Sequence, residues 1–305
     1  MINRNIKKKY VFLGDTNSLN IEIIANSFNK LREKVNYILI GSKKELKDYL
    51  KKLDSNIDVN EIYDPYNFTD YNIKKLNIFN IEKNSLNKFE NLCYQIEMAN
   101  NLSLKTKFDL ITMPIDKSIF KKKINFIGMT EYLGYLNNKK TLMLMYGDIF
   151  SIIPFTTHIN IKDIYLNINK KQLNIFIKHL KKNLDDKKYN LNFESIKFVC
   201  YNPHCGENGT LGNEDEIIKN LLSNYNFISG LFPADSAFLN LKRNTLFIST
   251  YHDQALIPFK LLNKNSYNLT LGLVYKRLSP SHGTAKDKKF KNMSDNSSYI
   301  ACMKS

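Results

Sequence analysis

Five histidines occur in the 305 residues, and three of them directly follow strand-like runs. His158 lies in Phe155-Thr156-Thr157-His158-Ile159, His204 follows Phe198-Val199-Cys200-Tyr201-Asn202-Pro203, and His252 follows Leu246-Phe247-Ile248-Ser249-Thr250-Tyr251. In open α/β sheets ligands bind beyond the carboxyl ends of the strands, so residues placed there converge on one site even when far apart in sequence. Three neutral imidazoles at such an edge suffice to hold a divalent metal and leave positions open for a substrate. Each histidine taken singly is explained as well by ordinary hydrogen bonding in a loop or core; the three together favour the metal. Pro203 and Gly206 around His204, and Asp253-Gln254 after His252, give each ring a tight polar setting suited to orienting it. Cys200 and Cys205 flank His204, and a structural zinc site there is the less favoured reading, because Cys200 lies inside a strand and no second thiol pair exists.

These residues need a scaffold that brings strand ends together, and short β-rich runs alternating with amphipathic stretches supply one: an α/β fold with a largely parallel sheet. Residues 10–14 read as a first strand, 15–20 as a polar turn and 21–31 as a helix with one apolar side. Residues 37–41 form a second strand, followed by a helix over 42–53 with Ser42 as N-cap and Glu45 completing a capping box. Residues 55–84 are rich in Asn, Asp and Tyr with no clean period and read as loops and short strands. Helices are expected at 86–104, 170–184 and 215–223, and strands at 108–113, 141–146, 196–201 and 245–251. There is no internal repeat.

Composition narrows the class. A chain of this length with 43% hydrophobic and 24% charged residues can bury one large core or two medium ones. The formal charge of +16 admits nucleic acid, a membrane surface or an anionic substrate as partner. The excess is diffuse, as in Lys121-Lys122-Lys123 and Lys181-Lys182-Asn183, with no basic helix interleaved with aromatics, so a solvated lysine-rich surface and no nucleic-acid partner is the preferred reading. Four scattered cysteines (Cys93, Cys200, Cys205, Cys302) form no disulfide framework and fit a reducing compartment. The polar start shows no secretory signal, and the most apolar region, 141–161, is interrupted by Gly147, Asp148, Pro154 and His158, so a cytoplasmic protein with no membrane span is expected.

Seven motifs occur in register: Thr157-His158-Ile159, Asn202-Pro203-His204-Cys205-Gly206-Glu207, Leu211-Gly212, Pro233-Ala234-Asp235, Tyr251-His252-Asp253-Gln254, Asn268-Leu269-Thr270-Leu271-Gly272 and His282-Gly283-Thr284-Ala285. In that order the chain resembles the 4-hydroxythreonine-4-phosphate dehydrogenase family of vitamin B6 biosynthesis, from near the first strand almost to the C-terminus. The resemblance implies an isocitrate/isopropylmalate dehydrogenase-like fold of two α/β/α domains with a cleft between them. The first would be 1–132 plus about 265–305, with the cofactor loop, and the second 133–264, with metal and dimer-interface residues. It implies a homodimer with its active site at the interface, and NAD-dependent oxidation and decarboxylation of 4-phosphohydroxy-L-threonine to 3-amino-2-oxopropyl phosphate. By the same carry-over one divalent ion (Zn, Mg or Co) is held by His158, His204 and His252, and substrate is contacted by Thr130, Lys260, Asn268 and Arg277. Lys and Arg suit a phosphate dianion, and a metal can lower the pKa of a substrate hydroxyl. No G-x-G-x-x-G follows the first strand, which leaves a Rossmann nucleotide site unsupported. The 282–287 loop, with His282, Gly283, Thr284 and Asp287, instead resembles the loop that holds the adenine end of NAD or NADP in isocitrate-type dehydrogenases. Lys117, in Pro114-Ile115-Asp116-Lys117, matches a position close to the active cleft and is a candidate for proton transfer, a surface lysine being its default reading.

Four places depart from the family pattern. The turn after the first strand keeps Gly14, Asp15 and Glu22 but loses the special turn residues; Met113 replaces a small residue; Lys288-Lys289-Phe290-Lys291 replaces glycines after the cofactor loop. Met129 replaces a histidine that touches substrate in relatives, and a thioether is at best a weak acceptor. Met129→His is therefore expected to raise kcat/KM, provided the pocket has not closed around the thioether. The alternatives are a dehydrogenase of another phosphorylated hydroxy acid (phosphoerythronate or phosphothreonate type), a metal hydrolase, for which no dedicated general base is visible, and a degenerate basic binding protein.

Overall fold

The computed structural model describes residues 7–83, 85–121, 127–291 and 293–305. Most of the polar start, and Lys122 and Lys123 of the basic run, lie outside the described residues. The chain divides into two compact units, Met1–Thr141 with Tyr267–Ser305, and Leu142–Ser266.

In chain order the first unit builds β1 (Lys8–Phe12), α1 (Asn20–Leu31), β2 (Asn36–Gly41), α2 (Lys43–Lys52), β3 (Val59–Glu61), β4 (Leu76–Asn80), α3 (Lys88–Thr106), β5 (Asp109–Thr112), α4 (Lys117–Lys121) and α5 (Met129–Leu136). The second unit follows with β6 (Leu142–Tyr146), β7 (Phe150–Pro154), α6 (Lys170–Leu184), β8 (Ser195–Val199), α7 (Glu214–Leu222), β9 (Leu231–Phe232), α8 (Ala234–Ala237), β10 (Thr245–Ser249) and α9 (His252–Leu262). The chain then returns to the first unit as β11 (Tyr267–Leu271), β12 (Arg277–Pro280) and α10 (Ser297–Lys304).

The strands of the first unit run in the order β3-β4-β2-β1-β5-β12-β11, parallel except for the β11–β12 pair. β1, β2 and β5 read as near-continuous apolar runs because helices cover both faces of such a sheet. Tyr10, Phe12, Ile38, Ile40, Ile96, Leu110, Phe120 and Tyr275 belong to its core. The strand order reverses at β1 and β5: β1 leads through α1 to β2 on one side, while α3 returns the chain to β5 on the other. The carboxyl ends of this pair are therefore the topological switch point of the unit, where an open sheet leaves a crevice.

The second unit orders its strands β6-β7-β10-β8-β9, with only β6–β7 antiparallel. Phe150, Ile152, Phe247 and Phe259 centre its core, and the Phe150 ring meets those of Phe247 and Phe259 edge-on at 5.4 and 5.6 Å.

Local signals place most boundaries within two residues of expectation. Ser42 caps α2 by accepting from Glu45 N at 3.1 Å, but its hydroxyl donates to Glu82, and the reciprocal capping box forms at Asn87 and Glu90 of α3. The 55–84 stretch holds the short β3 and β4. Three elements carried no periodic signal: the β11–β12 hairpin, whose residues alternate polar and apolar over only a few positions, and α9, which contains Pro258. No helix among the described residues is long and apolar enough to cross a membrane.

Candidate active site

Strands β7, β10 and β8 are adjacent and parallel, so the three histidines that follow them leave the same edge of the second unit's sheet. The His158 and His252 rings lie 5.7 Å apart, centroid to centroid. That spacing suits two imidazoles that share an ion about 2.1 Å from each nitrogen. His252 opens α9, and its Nδ1 is 2.8 Å from Asp253 Oδ1, which orients the ring and leaves Nε2 to face a ligand. His204 is elsewhere engaged: its Nδ1 is 3.8 Å from Asp235 Oδ2, and the side chain is exposed. Among the described residues no group of three or more His, Cys, Asp or Glu is gathered closely enough to hold a metal ion. The structure thus pairs His158 with His252 and leaves His204 with Asp235.

The segment bearing His204 has an unusual backbone. His204, Cys205, Gly206, Glu207 and Asn208 all have φ between 44° and 79°, a left-handed turn in which only Gly206 is at ease. Each non-glycine residue held there costs about 1–2 kcal/mol, so the turn needs support. Asp215 of α7 supplies it, its buried carboxylate accepting from Tyr201 N at 2.6 Å and Asn202 N at 2.8 Å. Burial raises the Asp215 pKa against the opposing pull of those bonds. Gln254 ties the ends of β10 and β8, accepting from Thr250 N and donating to Cys200 O. Asp215 was visible beforehand only as part of a helix start; an acid placed where α7 begins, 13 residues after Asn202 of the Asn-Pro-His motif, was its only signal. Cys200 and Cys205 interact directly, and burial pushes the Cys205 thiol up to about 12; both are free thiols. Lys260, near the end of α9, is exposed to solvent.

In the first unit, Arg277 opens β12 and pairs in register with Thr270, while Asn268 pairs with Ser279 two residues along the same faces. The guanidinium is buried, 3 % exposed. Its Nε donates to Thr112 Oγ1 at 2.9 Å, and Nη1 to Thr270 Oγ1 at 3.0 Å and Thr130 Oγ1 at 3.2 Å. No carboxylate pairs with it among the described residues. Burial draws its pKa down to about 10, so it remains cationic at neutral pH. Asn268 Oδ1 is buried without a hydrogen-bond partner. A buried cation hydrogen-bonded to neutral hydroxyls, with Glu131 acting on it only from beyond ion-pair contact and an unmet polar atom two residues along the hairpin, has the electrostatic form of an anion site. Thr112 and Thr270 complete it; Thr270 was readable as the same-face neighbour of Asn268, whereas Thr112 had no signal.

Thr130 lies in the first turn of α5 behind Gly128, which leaves the first amides of α5 without a side-chain cap. Met129 opens the helix partly buried and packs against the first unit's core; its side chain serves packing. Met113 is buried as well. Lys117 opens the short α4 and is exposed. The Gly14 turn is required: φ is +69°, and a Cβ there would lie 2.4 Å from Pro114 O.

The 282–287 loop leaves β12 directly. His282 Nδ1 is 2.9 Å from Gly283 O, while Nε2 is buried without a partner and burial lowers the ring's pKa, keeping it neutral. A Cβ added at Gly283 would meet nothing within 4 Å. An unmet ring nitrogen beside bare, open backbone fits the amine-bearing edge of an adenine. Thr284 is half-buried and Asp287 exposed.

Comparison with known proteins identifies the family and the fold. The family model for the pyridoxal phosphate biosynthetic protein PdxA matches residues 33–305. The 4-hydroxythreonine-4-phosphate dehydrogenase of Sulfurihydrogenibium sp. is 31% identical over 96% of this chain and 95% of its own, and that of Hydrogenobaculum sp. 32% identical over 93% of each. The crystal structure of 4-hydroxythreonine-4-phosphate dehydrogenase from Klebsiella pneumoniae superimposes with a TM-score of 0.81 at 23% identity over 97% of both chains. A terephthalate 1,2-cis-dihydrodiol dehydrogenase from Burkholderia xenovorans does so at 0.60 and 16% identity, covering 97% of this chain and 96% of its own. These two share the fold, the α/β class expected from the strand–helix alternation. The chain belongs to the pyridoxal phosphate biosynthetic protein PdxA family.

Proposed function

We propose that this protein oxidises 4-phosphohydroxy-L-threonine with NAD or NADP and releases CO2, leaving 3-amino-2-oxopropyl phosphate. One observation carries the reading beyond family membership: the buried, cationic Arg277 is bonded to three threonine hydroxyls, with no carboxylate in ion-pair contact among the described residues, an environment that a phosphate dianion would complete. Thr130 and Asn268 serve the same ligand, the first from the uncapped start of α5 and the second through its unmet Oδ1. Lys260, an exposed ammonium of the second unit, is a further candidate for contacting the substrate, and Lys117 is the candidate for moving a proton.

His158 and His252, with His204 as third donor, would hold a divalent ion such as zinc, magnesium or cobalt. When bound, that ion supplies Lewis acidity at the hydroxyl-bearing carbon. The chain's own part is to fix the donors: Asp253 sets the tautomer of His252, and Asp215 holds the turn that carries His204. His282, Gly283, Thr284 and Asp287 would hold the dinucleotide, which accepts the hydride. The oxidation balances as loss of a hydride from the hydroxyl-bearing carbon and of a proton from its hydroxyl oxygen, after which the β-keto acid loses its carboxylate as CO2 and the carbon left behind takes up a proton.

The same reading makes the protein a cytoplasmic homodimer. Its thiols are free, as in a reducing compartment. The second unit exposes Ile161, Leu166, Leu239, Ile257 and Leu261, each more than half accessible, as apolar surface for a second copy. The test is NAD(P) reduction by the purified protein with 4-phosphohydroxythreonine, with and without added divalent metal, beside light scattering for the oligomer. Turnover of a phosphoerythronate or phosphothreonate in preference would move the assignment to another phosphorylated hydroxy acid; no reduction with any of them would end it.

A further inference from the structure

The loop that follows β12 is fastened to the rest of the first unit along its length. Leu19 N donates to Thr284 O at 3.1 Å, Phe290 N donates to Glu22 Oε2 at 3.1 Å, and the Phe290 ring packs on Tyr49 with centroids 4.6 Å apart. One fastening is ionic and lies deeper. Lys286 Nζ binds Asp116 Oδ2 and stands 3.7 Å from Asp15 Oδ2, while Lys88 Nζ binds the other Asp15 oxygen at 2.7 Å. The result is an alternating chain, Lys88–Asp15–Lys286–Asp116, whose four members come from the start of α3, the turn after β1, the loop and the turn after β5.

The position of this chain is what gives it meaning. Asp15 and Asp116 stand on the turns leaving β1 and β5, the switch point of the unit, and Asp15 N donates to Pro114 O at 3.0 Å, so the two turns are already joined. Asp15 is wholly buried, and its Oδ2 has no hydrogen bond; Lys286 is the cation facing that oxygen. Withdrawing Lys286 would leave half of a buried carboxylate uncompensated, a strong reason for the ammonium to stay. Asp116 in turn is held on its other side by Ser118 N and Oγ, at 2.9 and 2.7 Å, which fixes the anchor to α4.

We infer that Lys286 is a positioning residue, bridging Asp116 and Asp15 so that the loop bearing His282, Gly283 and Thr284 is held in its binding conformation before a dinucleotide arrives. The inference rests on the proposed cofactor role of that loop. Ordering a loop in advance removes an entropic penalty from binding, so loss of the bridge weakens affinity without touching the ligand.

The test uses the full-length protein as wild type, Lys286→Met, Lys286→Arg and Asp116→Asn. Hydrogen exchange is measured without cofactor, and NAD and NADP binding by calorimetry. The expected result for Lys286→Met is faster exchange confined to amides 284–290, with α6 amides unchanged, and a Kd about tenfold higher, equivalent to about 1.4 kcal/mol. KM for the phosphorylated substrate stays at the wild-type value, and Lys286→Arg restores both exchange and affinity. Asp116→Asn separates positioning from direct contact, because it weakens binding if Asp116 anchors the loop, whereas unchanged or tighter binding means a freed Lys286 reaches the ligand itself and overturns the inference. Unchanged exchange in Lys286→Met overturns it while leaving the cofactor reading intact. A wild-type protein that binds neither dinucleotide overturns both.

Discussion

Replacing Arg277 with methionine separates the energetics of the fold from those of the ligand. The guanidinium is buried, its described bonds go to Thr112, Thr130 and Thr270, and it stays charged at neutral pH. Taking such a cation out of water costs several kcal/mol, and hydrogen bonds from a charged donor return about 1.5–3 kcal/mol each at best. The two terms nearly cancel, so Arg277 contributes little net stability to the ligand-free fold. Methionine keeps an unbranched apolar stem, shorter than arginine's, removes the desolvation penalty and leaves the Thr130 and Thr270 hydroxyls, 3.3 Å apart, to bond one another. Urea unfolding in phosphate-free buffer is therefore expected to fall within about 1 kcal/mol of wild type, on either side. Binding behaves differently. A charge-assisted bond to phosphate worth about 1.5–3 kcal/mol is lost, so KM for the phosphorylated substrate and the inhibition constant of inorganic phosphate should both rise about ten- to a hundredfold. Arg277→Lys keeps the charge without the planar fork and should fall between. A stability loss of about 3 kcal/mol or more with phosphate affinity unchanged would show that the guanidinium is there for the fold, and the anion site would have to be sought elsewhere.

Other perturbations address the remaining parts of the site. Asp253→Asn removes the carboxylate that orients His252, and should lower affinity for an added divalent ion about ten- to a hundredfold in calorimetric titration while His252→Ala abolishes the interaction; equal affinity in Asp253→Asn and wild type would remove the carboxylate from the site. Met129→His, considered from the sequence as a repair, now meets a side chain packed against the core; initial rates should show no gain in kcat/KM, and chemical unfolding a loss of about 1 kcal/mol or more, whereas a tenfold gain in rate would show that the pocket is still open. The bridge to Lys286 holds the Asp116 carboxyl down to about 2 from its ordinary 3.8. A depressed acid stabilises the fold above its unfolded pKa and loses that contribution as pH falls through the folded one, so stability attributable to Asp116 should decline between about pH 4 and 2, and Asp116→Asn should flatten that limb of an acid titration followed by circular dichroism.

What the sequence made legible, and what it hid, divides along the range of the interactions. Strand ends, helix starts and the Ser42 cap are written in a few consecutive residues, which is why His158, His204 and His252 could be assigned to one sheet edge: β7, β10 and β8 had only to be parallel neighbours. The finer geometry at that edge was not legible, because the left-handed turn at His204 depends on a carboxylate from α7, and His204 stands beside Asp235 instead of joining the other two rings. The anion site shows the same limit. Arg277 could be named from a motif, but Thr112 reaches it across 165 residues of chain and Thr130 across 147, joined by a hairpin whose polar–apolar alternation runs over too few positions to mark it. Lys286 was hidden for the opposite reason. In a chain so rich in lysine, one more in a basic loop carries no information by type or spacing, and it becomes distinctive only when the turns after β1 and β5 bring two acids to it. Two carboxylates brought together at a switch point need a cation, and the fold draws that cation from the very loop proposed to bind the cofactor. The charge that closes the crevice and the order of the loop are thus one structural fact, which is why a change at Asp116, remote in sequence from that loop, is the sharper probe of it.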